Sequence, residues 1–207
     1  MYAFFWCHFD MFALNTRLFL LLNAGRPANG LVMTLADALA VYAVFLLPLA
    51  LVVLWLMGNW SDRWLAVSAL IGCLAALSLN DIIGNFAFVP RPAQLGIGNS
   101  YLSHVPDSSF PSDHATVIFA AMWAYTIGGR RGLAIAFGTL AIVIGWARIY
   151  MGVHFPIDIA GAALTGLVGS CLSHVVMKAG GRRLLDFAQP IYRRLFAFMV
   201  NRGWVKP

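Results

Sequence analysis

Trp64 to Phe88, WLAVSALIGCLAALSLNDIIGNFAF, is the stretch on which the reading of the fold turns. From Trp64 to Asn80 it carries no charged side chain, and a run of about 20 apolar residues in helical form crosses the roughly 30 Å hydrocarbon core of a bilayer. Outward from it lie four more apolar stretches: Leu31 to Met57, Ala115 to Ile127, Leu133 to Ala147 and Ile159 to Met177. The third and fourth spans in chain order are short unless Pro111 to His114 and Arg148 to Val153 are counted as their polar ends. The whole chain agrees with this reading, since 61% of its 207 residues are hydrophobic and 11% charged, against about a quarter charged in soluble domains. Disorder, collagen and a disulfide scaffold are excluded, and Cys7, Cys73 and Cys171 read as packing residues. The expected fold is all-α, a polytopic transmembrane helical bundle of five or six spans with short interfacial helices, in one domain covering 1–207.

Both ends of the chain call for shorter elements. Asn15 to Asn23 reads as a brief helix capped by Asn15 or Thr16 and stopped by Gly25, interfacial or re-entrant, and otherwise a sixth span. MYAFFWCHFD lacks the basic start and small-residue cleavage site of a signal peptide, so it reads as part of the mature chain. In the tail, 179–207, Ile191, Leu195, Phe198 and Met199 alternate with Arg193, Arg194 and Arg202, the pattern of a basic amphipathic helix on a membrane surface. Gly161, Thr165 and Gly169 form a small-residue stripe suited to close helix packing.

The formal net charge is +6, from 14 Lys and Arg against 8 acids, and all the acids are Asp. In this setting the excess points to the lipid bilayer and not to nucleic acid. Arg63, Arg130, Arg131 and the basic tail fall at one set of span ends, whereas only Arg17, Arg26, Arg91 and Arg148 fall at the other. The positive-inside tendency then puts the crowded ends and the C-terminus in the cytoplasm and the sparse ends outside.

Ionisable residues at membrane depth are costly and so mark function. Here they gather at the sparse ends: Arg91 after the second span, Ser112, Asp113 and His114 at the start of the third, Arg148 and His154 closing the fourth, and Asp158 opening the fifth. Because successive spans run in opposite directions, these four stretches share one face. Two guanidinium forks, a serine hydroxyl and the N–H groups of a helix N-terminus suit several anionic oxygens, which is the chemistry of a phosphate. Two histidines divide the remaining work, one attacking phosphorus and one moving a proton at the leaving oxygen. Asp158, four residues past His154, is spaced to accept the imidazole N–H and fix its tautomer. His104 and Asp107, in the loop from Pro90 to Phe110, read as solvated.

These motifs resemble the type 2 phosphatidic acid phosphatase superfamily. Its Arg-Pro is matched by Arg91-Pro92, its Pro-Ser-Gly-His by Pro111-Ser112-Asp113-His114, and its Ser-Arg with downstream His and Asp by Ala147-Arg148, His154 and Asp158. The motif-level likeness covers 90–158. The family's lysine falls at Gly84, and Asp113 and Ala147 replace Gly and Ser, departures similar to the undecaprenyl-diphosphate phosphatase branch. The resemblance implies that His154 forms a phosphohistidine with Asp158 orienting it, and that His114 protonates the bridging oxygen and later activates water. It gives Arg91, Ser112 and Arg148 the phosphoryl oxygens, with Asp113 and Asn85 as further candidates and Asn80 as a deeper one. No metal and no cofactor are expected.

The implied reaction is hydrolysis of undecaprenyl diphosphate to undecaprenyl phosphate, in carrier-lipid recycling for peptidoglycan, a step linked to bacitracin resistance. Phosphatidylglycerophosphate, phosphatidic acid and lipid A 1-phosphate are alternative substrates. A non-catalytic lipid-phosphate binder or transporter is the alternative of another class.

Overall fold

The computed structural model of the chain describes residues 2–103 and 107–207, with side chains from Met11 onward; His104 and the side chain of Cys7 lie outside the described residues. The architecture is helical, with the helices α1 (Tyr2–Leu22), α2 (Gly30–Val41), α3 (Leu46–Met57), α4 (Trp60–Phe86), α5 (Asp113–Ile127), α6 (Arg131–Tyr150), α7 (Pro156–Val176), α8 (Arg182–Leu195) and α9 (Ala197–Asn201). Among the described residues, three helices are long and apolar enough to cross a bilayer: α4, α6 and the continuous Pro156–Leu195 helix made by α7 and α8.

Against the expected five or six spans, the differences have local causes. Leu31 to Met57 is a broken span, α2 and α3 meeting at 43° across a 3-10 turn at Ala43–Phe45. Pro48 in the first turn of α3 has no N–H to give to the carbonyl four residues earlier, so a straight helix is disfavoured there. α5 has 15 residues, too few for a full crossing, and it lies at the centre of the bundle against α4, α6 and α7. α1 begins at Tyr2 and not at Asn15. Asn15 serves another helix, its side-chain oxygen accepting the backbone N–H of Ile157 at 3.1 Å. The tail helix does not start afresh after the last span, because a π turn at Met177–Gly181 carries α7 directly into α8.

Packing of α7 holds the bundle together. A Cβ at Gly169 would stand 2.4 Å from the carbonyl oxygen of Gly72, and one at Gly166 would stand 2.8 Å from the backbone nitrogen of Ala120. Glycine at both positions therefore lets α7 touch the α4 and α5 backbones. Hydroxyls tie the same seam: Ser173 donates to the Ser68 carbonyl at 2.6 Å and Ser170 to the Ala120 carbonyl at 2.7 Å. Outward-facing Ile135, Ile142, Leu164 and Val175 stay exposed, as suits surfaces that meet lipid.

At the end of the bundle opposite His154, Arg63 was expected among the charges facing the cytoplasm, yet it is 1% exposed. Its Nε, Nη1 and Nη2 donate to the backbone oxygens of Trp55, Pro207 and Lys206 at 2.9, 2.9 and 2.7 Å. The guanidinium also lies over the rings of Tyr192 and Trp55. The tail folds back onto the α3–α4 end through this residue, with Lys206 N donating to the Leu56 carbonyl at 2.9 Å.

Candidate active site

At the other end, three connections meet. The loop after α4 carries Arg91, the segment before α5 carries Ser109 to Ser112, and the turn between α6 and α7 carries His154. Pro156 opens α7 and Asp158 sits at its third position, where a carboxylate accepts backbone N–H groups at a helix start. Its Oδ2 does so from Phe155 N at 2.8 Å. The turn that brings His154 inward is thus stapled by the residue expected to orient it.

His154 is 2% exposed, and its surroundings fix its tautomer. Nδ1 lies 2.9 Å from the Ser109 carbonyl and 3.4 Å from Asp158 Oδ2. A carbonyl only accepts, so Nδ1 carries the hydrogen and Nε2 carries the lone pair. Arg91 Nη1 and Arg148 Nη2 both stand 3.2 Å from that Nε2. Burial, with both cations adjacent, pulls the imidazole pKa below its ordinary 6.5 to about 4, against the opposing pull of Asp158. A neutral ring with an outward lone pair, flanked by two permanent positive charges, is the state a nucleophile toward phosphorus needs.

The arginines are held from behind. Arg148 Nη1 donates to the Ala40 carbonyl at 3.3 Å. Arg91 donates to the Val153 carbonyl at 3.2 Å, and its Nε and Nη2 reach Asp107 Oδ1 at 2.9 and 2.8 Å. Asp107, read from sequence as solvated, is half exposed but bonded to Arg91 by two nitrogens. Ser112 is fully buried at the N-cap of α5, makes no side-chain cap bond, and its Oγ has no partner among the described residues. A buried hydroxyl left in that condition is costly unless a ligand satisfies it. His114 follows on the first turn of α5, half-buried.

The remaining candidates surround this centre. Asp113 accepts from Asn80 Nδ2 at 2.8 Å, and the same amide reaches Thr116 Oγ1 at 3.0 Å. Asn80, expected to lie too deep, is therefore the amide tied to the α5 start, while exposed Asn85 lines a polar cavity of about 260 Å³ with Asp107, Phe110 and Asp113. Gly84 faces this cavity too, and a Cβ there would come within 3.3 Å of Ser108 Cβ. Any side chain at this position would press on Ser108 by a few tenths of an ångström before entering the cavity.

Ser109 is the residue that sequence reasoning passed over. It is fully buried; its carbonyl takes the His154 N–H, and its hydroxyl donates to Asp158 Oδ2 at 2.5 Å. Asp158 Oδ2 is thus shared among Ser109, Phe155 N and the imidazole, and the imidazole is the most distant of the three. The available signal was its place two residues before Pro111-Ser112, in the segment that must pass the His154 turn.

Comparison with known proteins places this arrangement among relatives. The family described as the PAP2 superfamily matches residues 64–182. YbjG of Escherichia coli (strain K12), provisionally named an undecaprenyl-diphosphatase, is 36% identical over 93% of this chain and 98% of its own. The undecaprenyl-diphosphatase BcrC of Bacillus subtilis (strain 168) is 29% identical over 94% of this chain and 97% of its own. Among solved structures, Aquifex aeolicus LpxE superposes with a TM-score of 0.62 at 26% identity, covering 77% of this chain and 94% of that one.

Proposed function

The chain belongs to the PAP2 superfamily, and we propose that it is an integral-membrane phosphatase that hydrolyses undecaprenyl diphosphate to undecaprenyl phosphate and phosphate. The observation that carries the chemistry is the pair of guanidinium groups at 3.2 Å from one unprotonated ring nitrogen. Such a pair attracts a phosphoryl group to the atom able to attack it. The choice of lipid is supported by relatives at 36% and 29% identity that carry the undecaprenyl-diphosphatase name.

In the proposed reaction the terminal phosphoryl group docks between Arg91, Arg148 and Ser112 Oγ, with N–H groups of the first turn of α5 completing the cradle. The Nε2 lone pair of His154 attacks phosphorus in line with the bridging oxygen. As the P–O bond breaks, His114 gives that oxygen a proton and undecaprenyl phosphate departs. The phosphorylated ring is cationic while Nδ1 keeps its hydrogen, and the Ser109 carbonyl and Asp158 stabilise it from the rear. His114, now neutral, takes a proton from water; the oxygen attacks phosphorus, the P–N bond breaks, and phosphate leaves with His154 restored. Asp113, held by Asn80, orders the start of α5.

The positive-charge bias supports an outer-face site in a bacterial cytoplasmic membrane, with the phosphate at headgroup level and the tail in hydrocarbon. The test is phosphate release by purified protein in EDTA, from undecaprenyl diphosphate beside phosphatidylglycerophosphate, phosphatidic acid and lipid A 1-phosphate. The reading expects metal-independent turnover with the highest kcat/KM on undecaprenyl diphosphate. Binding of these lipids without release of phosphate would favour the non-catalytic alternative.

A further inference from the structure

Next to the phosphate site lies a second cavity of about 450 Å³, walled by Phe12 of α1 and by Ile83 and Ala87 at the end of α4, with Leu95 beside them and Phe110 and Phe155 as its floor. Its size is that of a ligand pocket, which commonly falls between about 300 and 1,000 Å³. The lining is apolar apart from Asn15, whose side-chain oxygen is engaged by Ile157 N.

The relation of this groove to the chemistry lies in the chain itself. Pro90 lines the groove and Arg91 reaches His154. Phe110 lines it, and the Ser109 carbonyl takes the His154 N–H. Phe155 lines it, and His154 itself precedes it. Arg91 and Phe155 have extended, polyproline-like backbones, at φ −72°, ψ 158° and φ −82°, ψ 158°, a conformation with about three residues per turn in which neighbouring side chains leave in different directions. The groove therefore adjoins the catalytic loops, built on the sequence neighbours of Arg91, Ser109 and His154. Phe110 is shared by the groove and the polar cavity beside Asp113, and the last turns of α4 contribute to both. A chain leaving a phosphate held at His154 meets apolar surface as soon as it passes that rim.

We infer that this groove between α1 and the end of α4 is the subsite for the phosphate-proximal isoprene units of the substrate, and that α1 makes one wall of it. The inference rests on the undecaprenyl diphosphate reading and adds where the tail is recognised. It gives α1, which packs on α6 and α7, a role in chain selection.

The experiment compares isopentenyl diphosphate, with a single isoprene unit, and undecaprenyl diphosphate as substrates for three proteins. Ala87→Trp fills the groove from an exposed position, and Phe12→Ala removes part of its wall. Both variants should raise KM for undecaprenyl diphosphate about tenfold, the scale of losing a few apolar contacts, with kcat within about twofold. Both should leave kcat/KM for isopentenyl diphosphate within about twofold of wild type. Equal losses on both substrates would overturn the inference by placing the effect in the catalytic loops or the fold. No change on either would overturn it by leaving the groove to bulk lipid. Absence of wild-type turnover on any isoprenoid diphosphate, with turnover of another phospholipid, would instead sink the underlying reading and the tail assignment with it.

Discussion

The two ends of this bundle each bury arginine, and they treat it in opposite ways. Arg63 is ringed by three backbone oxygens and two aromatic faces, partners that belong to the fold and use all three of its nitrogens. Arg91 and Arg148 are braced from behind but turn a nitrogen each toward the single lone pair of His154. Two like charges converging on one neutral atom gain little from each other and much from an anion placed between them. Burial alone does not separate a structural arginine from a functional one; what the guanidinium still faces does.

That contrast is sharpened most by charge-preserving substitutions. Arg148→Lys keeps the charge but loses the fork, and should lower kcat/KM about 10²- to 10³-fold, the scale of losing one preorganised donor to a transition state, with little change in melting temperature. Arg63→Lys should do the reverse. It leaves buried carbonyls without their donors at a cost of about 2–3 kcal/mol, lowers the melting temperature in detergent, and keeps kcat/KM of the folded protein within about twofold. Equal kinetic losses at both ends would erase the distinction.

A smaller effect probes the support of His154. Ser109→Ala keeps the carbonyl that fixes the tautomer but frees Asp158 Oδ2 from its 2.5 Å donor. It should lower kcat about tenfold with KM nearly unchanged, on the scale of one lost hydrogen bond to a charged group. Ser109→Thr, which restores the hydroxyl, should recover most of that loss, and a pure packing defect would not follow this order.

A further effect is a pH dependence confined to one end. Because the His154 pKa is pulled down from 6.5 to about 4, the unfolded chain binds a proton that the folded chain refuses between those values. The stability held by the neutral ring is therefore complete above about pH 6.5 and is lost as pH falls toward 4. Melting temperatures measured from pH 7 to 4.5 should fall less steeply in His154→Gln than in wild type, while Arg63→Lys should keep the wild-type slope.

How much of this was legible in the sequence follows the same divide. The membrane class, the helical architecture and the meeting of Arg91, Ser112, Arg148, His154 and Asp158 at one end follow from apolar runs and from antiparallel succession, both written in the residue order. The break near Pro48 was hidden because hydropathy measures burial and not helix continuity, whereas the shortness of the third span was visible in its apolar run and persists because α5 starts only at Asp113. Asp107 and Ser109 were missed because their roles depend on where a loop passes, which spacing along the chain does not encode. Arg63 looked like any other basic residue at a span end until the tail folded over it. Asn15 carried a real capping signal, but the backbone N–H it accepts, from Ile157 in the first turn of α7, lies 142 residues later in the chain.

The central claim is that His154 Nε2 takes the phosphoryl group. Rapid acid-free quenching of the protein with undecaprenyl diphosphate labelled in its terminal phosphate, followed by mass spectrometry of the digested chain, tests it directly. The account predicts a transient, alkali-stable and acid-labile phosphate on His154, absent from His154→Ala and longer-lived in His114→Ala. Label found on another residue, or steady turnover by His154→Ala, would contradict it.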